Sequence, residues 1–419
     1  MAMALISANN MIIFIEKKVN LLSLMLLIYL SSGSLQLFMD GGARQQGFEK
    51  IVAYDGPLKL ILPIWAVLAV SVISWVFFVR RQARHLNISK LILTLITVSL
   101  ISAAWSENAY TAIRTSLLIG TSYLLIYCTT YYFSREEILS ILCNTLLIML
   151  LASVTLSILV PSYGVYLDQS KLMWQGIFSH KNGLGNFSAL SYSVFLGASK
   201  IFKSKKYLFG CLLSATLVFM SDSSTSMIAT ITATIVFFLL SEKNFKRYIS
   251  LHGNIYLITL LAFSFSAVIV SLATTSVSGD NIFSFSQRNF IWLRVLIKAI
   301  ERPLSGFGMD QFQAEFLGQD SELSYAMGAT VSHAHNGFIE AFFSLGLMGL
   351  IISVFLMREL IIPRRQGKYI AINYIFLCTL VVINTLEAQL LTFNIFIVGL
   401  FILITQKHTH GIIKPPHTS

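Results

Sequence analysis

The chain has 419 residues, 55% of them hydrophobic and only 12% charged, with a mean hydropathy of +0.73 and a formal net charge of +11. Soluble domains carry about 25% charged residues, so the composition excludes an ordinary soluble enzyme and points to an all-α, polytopic membrane protein. The basic surplus would suggest nucleic acid in a soluble protein; here Lys and Arg gather in short loops, as in membrane proteins that set their orientation by charge, and no nucleic-acid partner is expected.

Apolar runs of about the length that crosses a bilayer predict twelve spans, at 20–38, 59–79, 89–104, 110–131, 137–160, 183–199, 206–221, 225–241, 251–273, 336–357, 369–384 and 387–406. The first follows Lys17 and Lys18 with no small-residue cleavage site, the pattern of an uncleaved span. Basic residues cluster after even-numbered spans: Arg80, Arg81, Arg84 and Lys90; Lys200, Lys203, Lys205 and Lys206; Lys243, Lys246 and Arg247; Arg358, Arg364, Arg365 and Lys368. With the termini and Arg135 that face holds 20 of the 30 Lys and Arg residues, so it is expected to be cytoplasmic, with both ends of the chain. The four cysteines lie in apolar runs without C-x-x-C spacing, which argues against a zinc site or a disulfide framework. The whole chain, 1–419, reads as one integral membrane domain.

The opposite face holds the polar chemistry. Its largest piece, 274–335, is too long to be structureless in a compact domain. Within it "QRNFIWLRVLIKAIERPLSGFG" (287–308) spaces Trp292, Leu296 and Ile300, flanked by Leu293 and Ile297, on one side of a helix, with Arg294, Lys298, Glu301 and Arg302 opposite. That predicts an amphipathic helix lying on the membrane surface, stopped by Pro303 and turned by Gly306 and Gly308. No Walker loop, G-x-G-x-x-G, G-x-S-x-G or H-E-x-x-H occurs.

Particular residues stand out on that face. In "HAHNGFIEAFFSLGLMG" (333–349), His335 and Asn336 sit at the N-terminal mouth of the tenth span, where the helix dipole favours an anion nearby and a neutral imidazole able to take a proton. A capping or interfacial histidine is the plainer reading. Gly346 and Gly349 are spaced to admit a neighbouring helix. His333 and His335 diverge by roughly 200° if helical and have no acid or cysteine at ligand spacing, so no metal is expected. Glu340 is placed to orient His335, to pair with a base, or to serve a structural pair. In "HKNGLGNF" (180–187), Lys181 is a cation at a membrane edge, a position that is costly unless functional; a turn with a snorkelling lysine is the alternative. Gly183 and Gly185 would let backbone approach a ligand. Arg114 and Arg288 offer planar forks for phosphate oxygens, or ordinary headgroup contacts.

Together these pieces resemble the O-antigen ligase and Wzy-type polysaccharide polymerase superfamily, nearest to its ExoQ-like exopolysaccharide polymerases. Trp105, Ser106 and Arg114, "WQGIFSHKNGLG" (174–185), the "SDSSTS" turn (221–226), "QRNFIW…RPLSGFG" and "HAHNGFIEAFFSLGLMG" follow the family's order over 105–349, with Gln287 departing from a usual glycine. The resemblance implies a GT-C-like, metal- and cofactor-independent inverting glycosyltransferase in the bacterial cytoplasmic membrane. Its donor would be a polyprenyl-diphosphate-linked glycan, its acceptor a glycan hydroxyl, and a chain-length regulator and a flippase would be its partners. On that pattern His335 is the catalytic base, Arg288, Lys181 and Arg114 bind the diphosphate, and Asn336, His180, Asn182 and Glu340 support them. The "HKN" signature favours polymerase over ligase. A twelve-span transporter is the reading from another class, disfavoured by the long outer segment, which breaks half-to-half symmetry.

Overall fold

The computed structural model describes residues 2–34, 58–79, 88–168, 171–243, 247, 252–274, 288–316, 331, 333–362, 367–387 and 390–408. The expected first span is part of a longer helix, α1 (Ala2–Ser31), which carries Lys17 and Lys18 within it; positions 35–38 of that expectation lie outside the described residues. The helices α2 (Leu58–Ser74, continued by a π-helical turn Trp75–Val79), α3 (Lys90–Ile101), α4 (Ala109–Tyr132) and α5 (Arg135–Leu159) follow. Their starts are written in local chemistry. Ser89 and Asn108 accept hydrogen bonds from first-turn N–H groups, and Ser134 with Glu137 forms a complete capping box.

After α5 the chain makes a feature that the all-α expectation lacked, an antiparallel hairpin of β1 (Val165–Asp168) and β2 (Lys171–Trp174). The Gln175 and Gly176 amides both donate to the Gly164 carbonyl, and Ser157 on α5 donates to the same oxygen at 3.0 Å. Gly176 has φ +58° and leaves no room for a Cβ against Ser153, so the "WQG" triplet docks the hairpin on α5.

Helices α6 (Lys181–Ser199), α7 (Lys205–Ser221) and α8 (Ser224–Leu239) pack together with α12 (Ile370–Leu386); α9 (Gly253–Thr274), α10 (Arg288–Ala299), α11 (Gly337–Ile361) and α13 (Ile395–His408) complete the bundle. In α12 every side chain but Val382 is buried, the signature of a helix enclosed on all sides. Among the described residues four helical stretches, 61–79, 109–132, 135–159 and 337–361, are long and apolar enough to cross a membrane, and several shorter apolar helices accompany them. The protein is thus a polytopic, predominantly helical membrane protein.

Two expected elements are rebuilt by tertiary structure. The amphipathic helix is present as α10, but its buried side is Ile291, Trp292, Val295 and Ala299, whereas Leu293, Ile297 and the following Ile300 are exposed. The protein core claims the face carrying Ile291 and Val295, which lies to one side of the expected apolar stripe, because Phe307, Phe312, Phe316 and Phe343 gather against it. The second change is in α11. Gly346 has φ 61° and ψ −151° and breaks the helix, and the partner it admits is not a helix. The Pro303–Gly308 turn lies there instead: Phe307 N–H donates to Phe343 O at 2.9 Å, Gly308 N–H to Ser344 O at 2.8 Å, and Leu347 N–H to Pro303 O at 2.8 Å. The turn thereby satisfies the backbone groups that the break frees, the condition under which a discontinuous helix is tolerated at membrane depth.

Candidate functional site

The His333–Asn336 loop is held at both ends. Ala334 O accepts from Trp292 Nε1 of α10 at 2.9 Å, and Ala334 N donates to Glu340 Oε2 at 3.3 Å. Asn336 caps α11, its Oδ1 accepting from Phe338 and Ile339 N–H, while its Nδ2 donates to Thr385 O of α12 at 2.8 Å. Between these anchors His335 adopts φ +50°. A non-glycine residue in left-handed space is held there only when its neighbours over-determine it, and here they do. His335 is therefore not the first residue of the helix but an imidazole presented beside its capped mouth. Glu340 holds the loop through Ala334.

The partner that meets His335 is one to which the sequence assigned no role. Glu387 was expected to open the last span, yet it ends α12, and α13 begins only at Ile395, capped by the Asn394 side chain. Four groups from three places converge on it. The Arg288 guanidinium pairs with Oε2 and also donates to Leu386 O. Asn182 Nδ2 donates to Oε1 at 3.0 Å. His335 Nδ1 lies 3.4 Å from Oε1, in ion-pair range though off the line of an aligned hydrogen bond. His333 Nε2 is 3.2 Å from the Glu387 carbonyl oxygen, with its ring centroid 4.0 Å from that of His335. Burial alone would push the Glu387 carboxyl up; the His335 imidazole and the Arg288 charge, with a smaller contribution from His333, outweigh it and bring the group down to about 2. Glu387 is thus a buried, firmly ionised carboxylate.

Of the "HKN" triplet, Asn182 donates to Glu387. His180 is the N-cap of α6, its Nδ1 accepting from the Asn182 amide at 3.2 Å. Lys181 is half-buried, and its Nζ lies 3.0 Å from the weakly accepting Met173 sulfur of β2. The glycines were expected to give a ligand room, but protein fills that space. A Cβ on Gly185 would come within 2.7–2.8 Å of Ser223, Ser226 and Ser221, and one on Gly183 within 3.3 Å of Phe178. The "SDSSTS" turn is thus a partner of Gly185, and its Asp222 takes Lys171 of the hairpin in an ion pair at 2.6 Å. Gly185→Ala is expected to destabilise the fold by about 1–3 kcal/mol through overpacking, read as a lowered thermal midpoint in detergent.

Arg114 is placed at Asp310. Burial raises the Asp310 carboxyl, opposed by the Thr115 hydroxyl at 2.6 Å and by the Arg114 charge. Nearby, Gln311 accepts from the Asn108 amide and donates to Asn108 O and Thr111. The "WSENAYTAIR" stretch, continued by Thr115, therefore latches the segment after α10 to the mouth of α4, with the Arg114 charge acting on Asp310.

His333, His335 and Glu387 bring one metal-ligating atom each within 4.8 Å of one another. The acid missing at ligand spacing is supplied by the fold. Both Glu387 oxygens already face nitrogen donors, however, and a metal ion would have to displace the Arg288 charge. With Arg288 and Asn182 on the carboxylate and two imidazoles beside it, the donor set suits an anion next to the cluster better than a cation within it.

A helical membrane bundle thus gathers Arg288, Asn182, His333 and His335 around the buried Glu387, at the ends of α6, α10 and α12 and the mouth of α11. Residues 209–354 match the model of the family described as O-antigen ligase, which supports the resemblance to the O-antigen ligase and Wzy-type superfamily. Arg288, Gly346 and the His333–Asn336 loop all fall inside the match. No curated protein matches the chain.

Proposed function

We propose that the protein polymerises polyprenyl-diphosphate-linked oligosaccharide repeat units into surface polysaccharide on the outer face of the bacterial cytoplasmic membrane, as a metal- and cofactor-independent inverting glycosyltransferase. The observation that carries this reading is the meeting of Arg288 and His335 at one ionised carboxylate, with Lys181 half-buried on the neighbouring helix start. An acceptor hydroxyl attacks the anomeric carbon as the bond to the diphosphate oxygen breaks. The hydroxyl proton passes to His335 Nε2, and the leaving diphosphate keeps the bonding electron pair. Arg288, with N–H groups beyond the two committed to Leu386 and Glu387, and Lys181 offset the charge that develops there, commonly the largest contribution to such catalysis. A single displacement inverts the anomeric centre. Both chain termini would be cytoplasmic, and a chain-length regulator and a flippase would act beside the enzyme.

The description of the matched family favours a second reading, transfer of finished glycan to lipid A core or to protein. Glycan profiles of a deletion strain separate the two. Single repeat units without long chains mark a polymerase. Long chains held on the polyprenyl carrier, absent from the final acceptor, mark a ligase. An unchanged profile would remove both readings.

Arg288→Lys tests the phosphate fork. A point charge replaces neither the fork nor its hold on Leu386 O, so polymer yield in the complemented strain is expected to fall at least about 10-fold, the cost of one charge-assisted hydrogen bond of about 1.5–3 kcal/mol. A near-normal yield would sink the bidentate role.

A further inference from the structure

We propose that Glu387 is a positioning residue of the transfer site: its carboxylate holds the His335 imidazole and the Arg288 guanidinium in register, leaving His335 Nε2 as the proton acceptor. The inference rests on the glycosyltransferase reading above and adds a residue that none of the motifs contains.

The geometry carries it. Oε2 takes Arg288, and Oε1 faces both Asn182 and His335 Nδ1. A carboxylate beside Nδ1 favours the tautomer with the proton on that nitrogen, so the free lone pair sits on Nε2. When Nε2 takes the hydroxyl proton, the imidazolium forms next to an existing negative charge. Glu387 accepts no proton in the step; the proton stays on Nε2, and the electron pair leaves with the diphosphate. The carboxylate is 7% exposed, so its effect on both partners is little screened by water. Its backbone is fixed as well: the Glu387 N–H closes α12 onto Ile383 O at 2.8 Å, and its carbonyl meets His333. Asn182 ties the same oxygen to the start of α6. One residue therefore joins α6, α10, the loop before α11 and α12.

This role predicts an unusual split of kinetic constants. Glu387→Gln keeps size and the capacity to accept from Asn182 but removes the negative charge. The Arg288 and Lys181 charges then face an incoming diphosphate with less competition, so KM for the donor should stay the same or fall. At the same time kcat should fall about 100-fold, the scale of an ill-supported general base. A collapsed site would raise KM. Glu387→Asp keeps the charge and should recover at least about a tenth of wild-type kcat, on the same scale of effect.

The experiment uses the full-length protein in detergent with lipid-linked repeat units extracted from the deletion strain, and measures binding of undecaprenyl diphosphate alone in parallel. Lowered kcat with unchanged or tighter undecaprenyl diphosphate binding in Glu387→Gln, and rescue by Glu387→Asp, supports the proposal. Wild-type kcat in Glu387→Gln overturns it and leaves the glycosyltransferase reading standing. Loss of both kcat and binding in Glu387→Gln, not rescued by Glu387→Asp, shows a structural residue and also overturns it. If the wild-type protein itself transfers no glycan, the glycosyltransferase reading fails and this inference falls with it.

Discussion

His335→Ala is expected to abolish polymer formation while leaving expression and membrane insertion intact. The imidazole is held beside the mouth of α11 at φ +50°, a conformation secured by the clamps on Ala334 and Asn336 rather than by its own side chain. Removing the ring takes away the proton acceptor and its contacts with His333 and Glu387, while the backbone clamps that place the loop remain. A general base contributes roughly 10²- to 10⁴-fold, enough to take a membrane polymerase below detection in a glycan profile. Full-length polymer in the complemented strain, with the variant present at wild-type level in the membrane, would show that His335 is not the base. His333→Ala makes a useful comparison. His333 Nε2 lies against the Glu387 backbone carbonyl, and its effect on the carboxylate is smaller than that of His335, so its removal should cost less than that of His335.

The second large effect concerns the break in α11. Gly346→Ala is expected to cost about 2–5 kcal/mol, combining backbone strain with overpacking. The glycine sits at φ 61°, ψ −151°, a region that side-chain-bearing residues hardly visit. A Cβ there would lie 2.4 Å from the carbonyl carbon and oxygen of Leu304, and neither backbone atom can rotate away. The Gly306 side of the contact is equally closed, 2.4 Å from Ser344 O. The variant should show a lower thermal midpoint in detergent and a reduced folded yield. Gly349→Ala tests a different kind of contact, since its Cβ would meet Ala341 O across the kink within the same helix. A Gly346→Ala protein as stable as wild type would mean that α11 can run straight and that the Pro303–Gly308 turn docks elsewhere.

The two effects meet in one piece of architecture. The turn that fills the break in α11 follows directly from α10, whose Trp292 holds Ala334 and whose first residue is Arg288. The "RPLSGFG" and "SLGLMG" motifs are thus two halves of one joint, which sets α10 against α11 and so Arg288 against the His335 loop.

By itself, the sequence determined the class of protein and most of its elements. Hydropathy alone separates a membrane bundle from a soluble domain, because apolar runs of span length have no other stable environment. Caps such as Asn108, Ser134 and Asn336 announce helix starts locally, since their side chains bond N–H groups two or three residues away. Motif order pointed to the family that the match over 209–354 also indicates, and Arg288, Asn182 and His335 were legible as candidates from their motifs.

Tertiary structure decided which of these residues meet. Arg114 came to act on the Asp310 carboxyl, His180 became a cap, and Gly185 and Gly346 turned out to accommodate protein rather than a ligand or a helix. Glu387 was placed one element too late, at the opening of a span, because a lone acid in an apolar run marks a boundary without saying which helix it ends. Its partners lie 52 to 205 residues away in sequence, as the numbering of His335 and Asn182 shows. No local periodicity or spacing carries information over that distance. A buried carboxylate with three cationic or N–H partners forms only when separate helices bring them to one point, and that point exists only in the packed bundle.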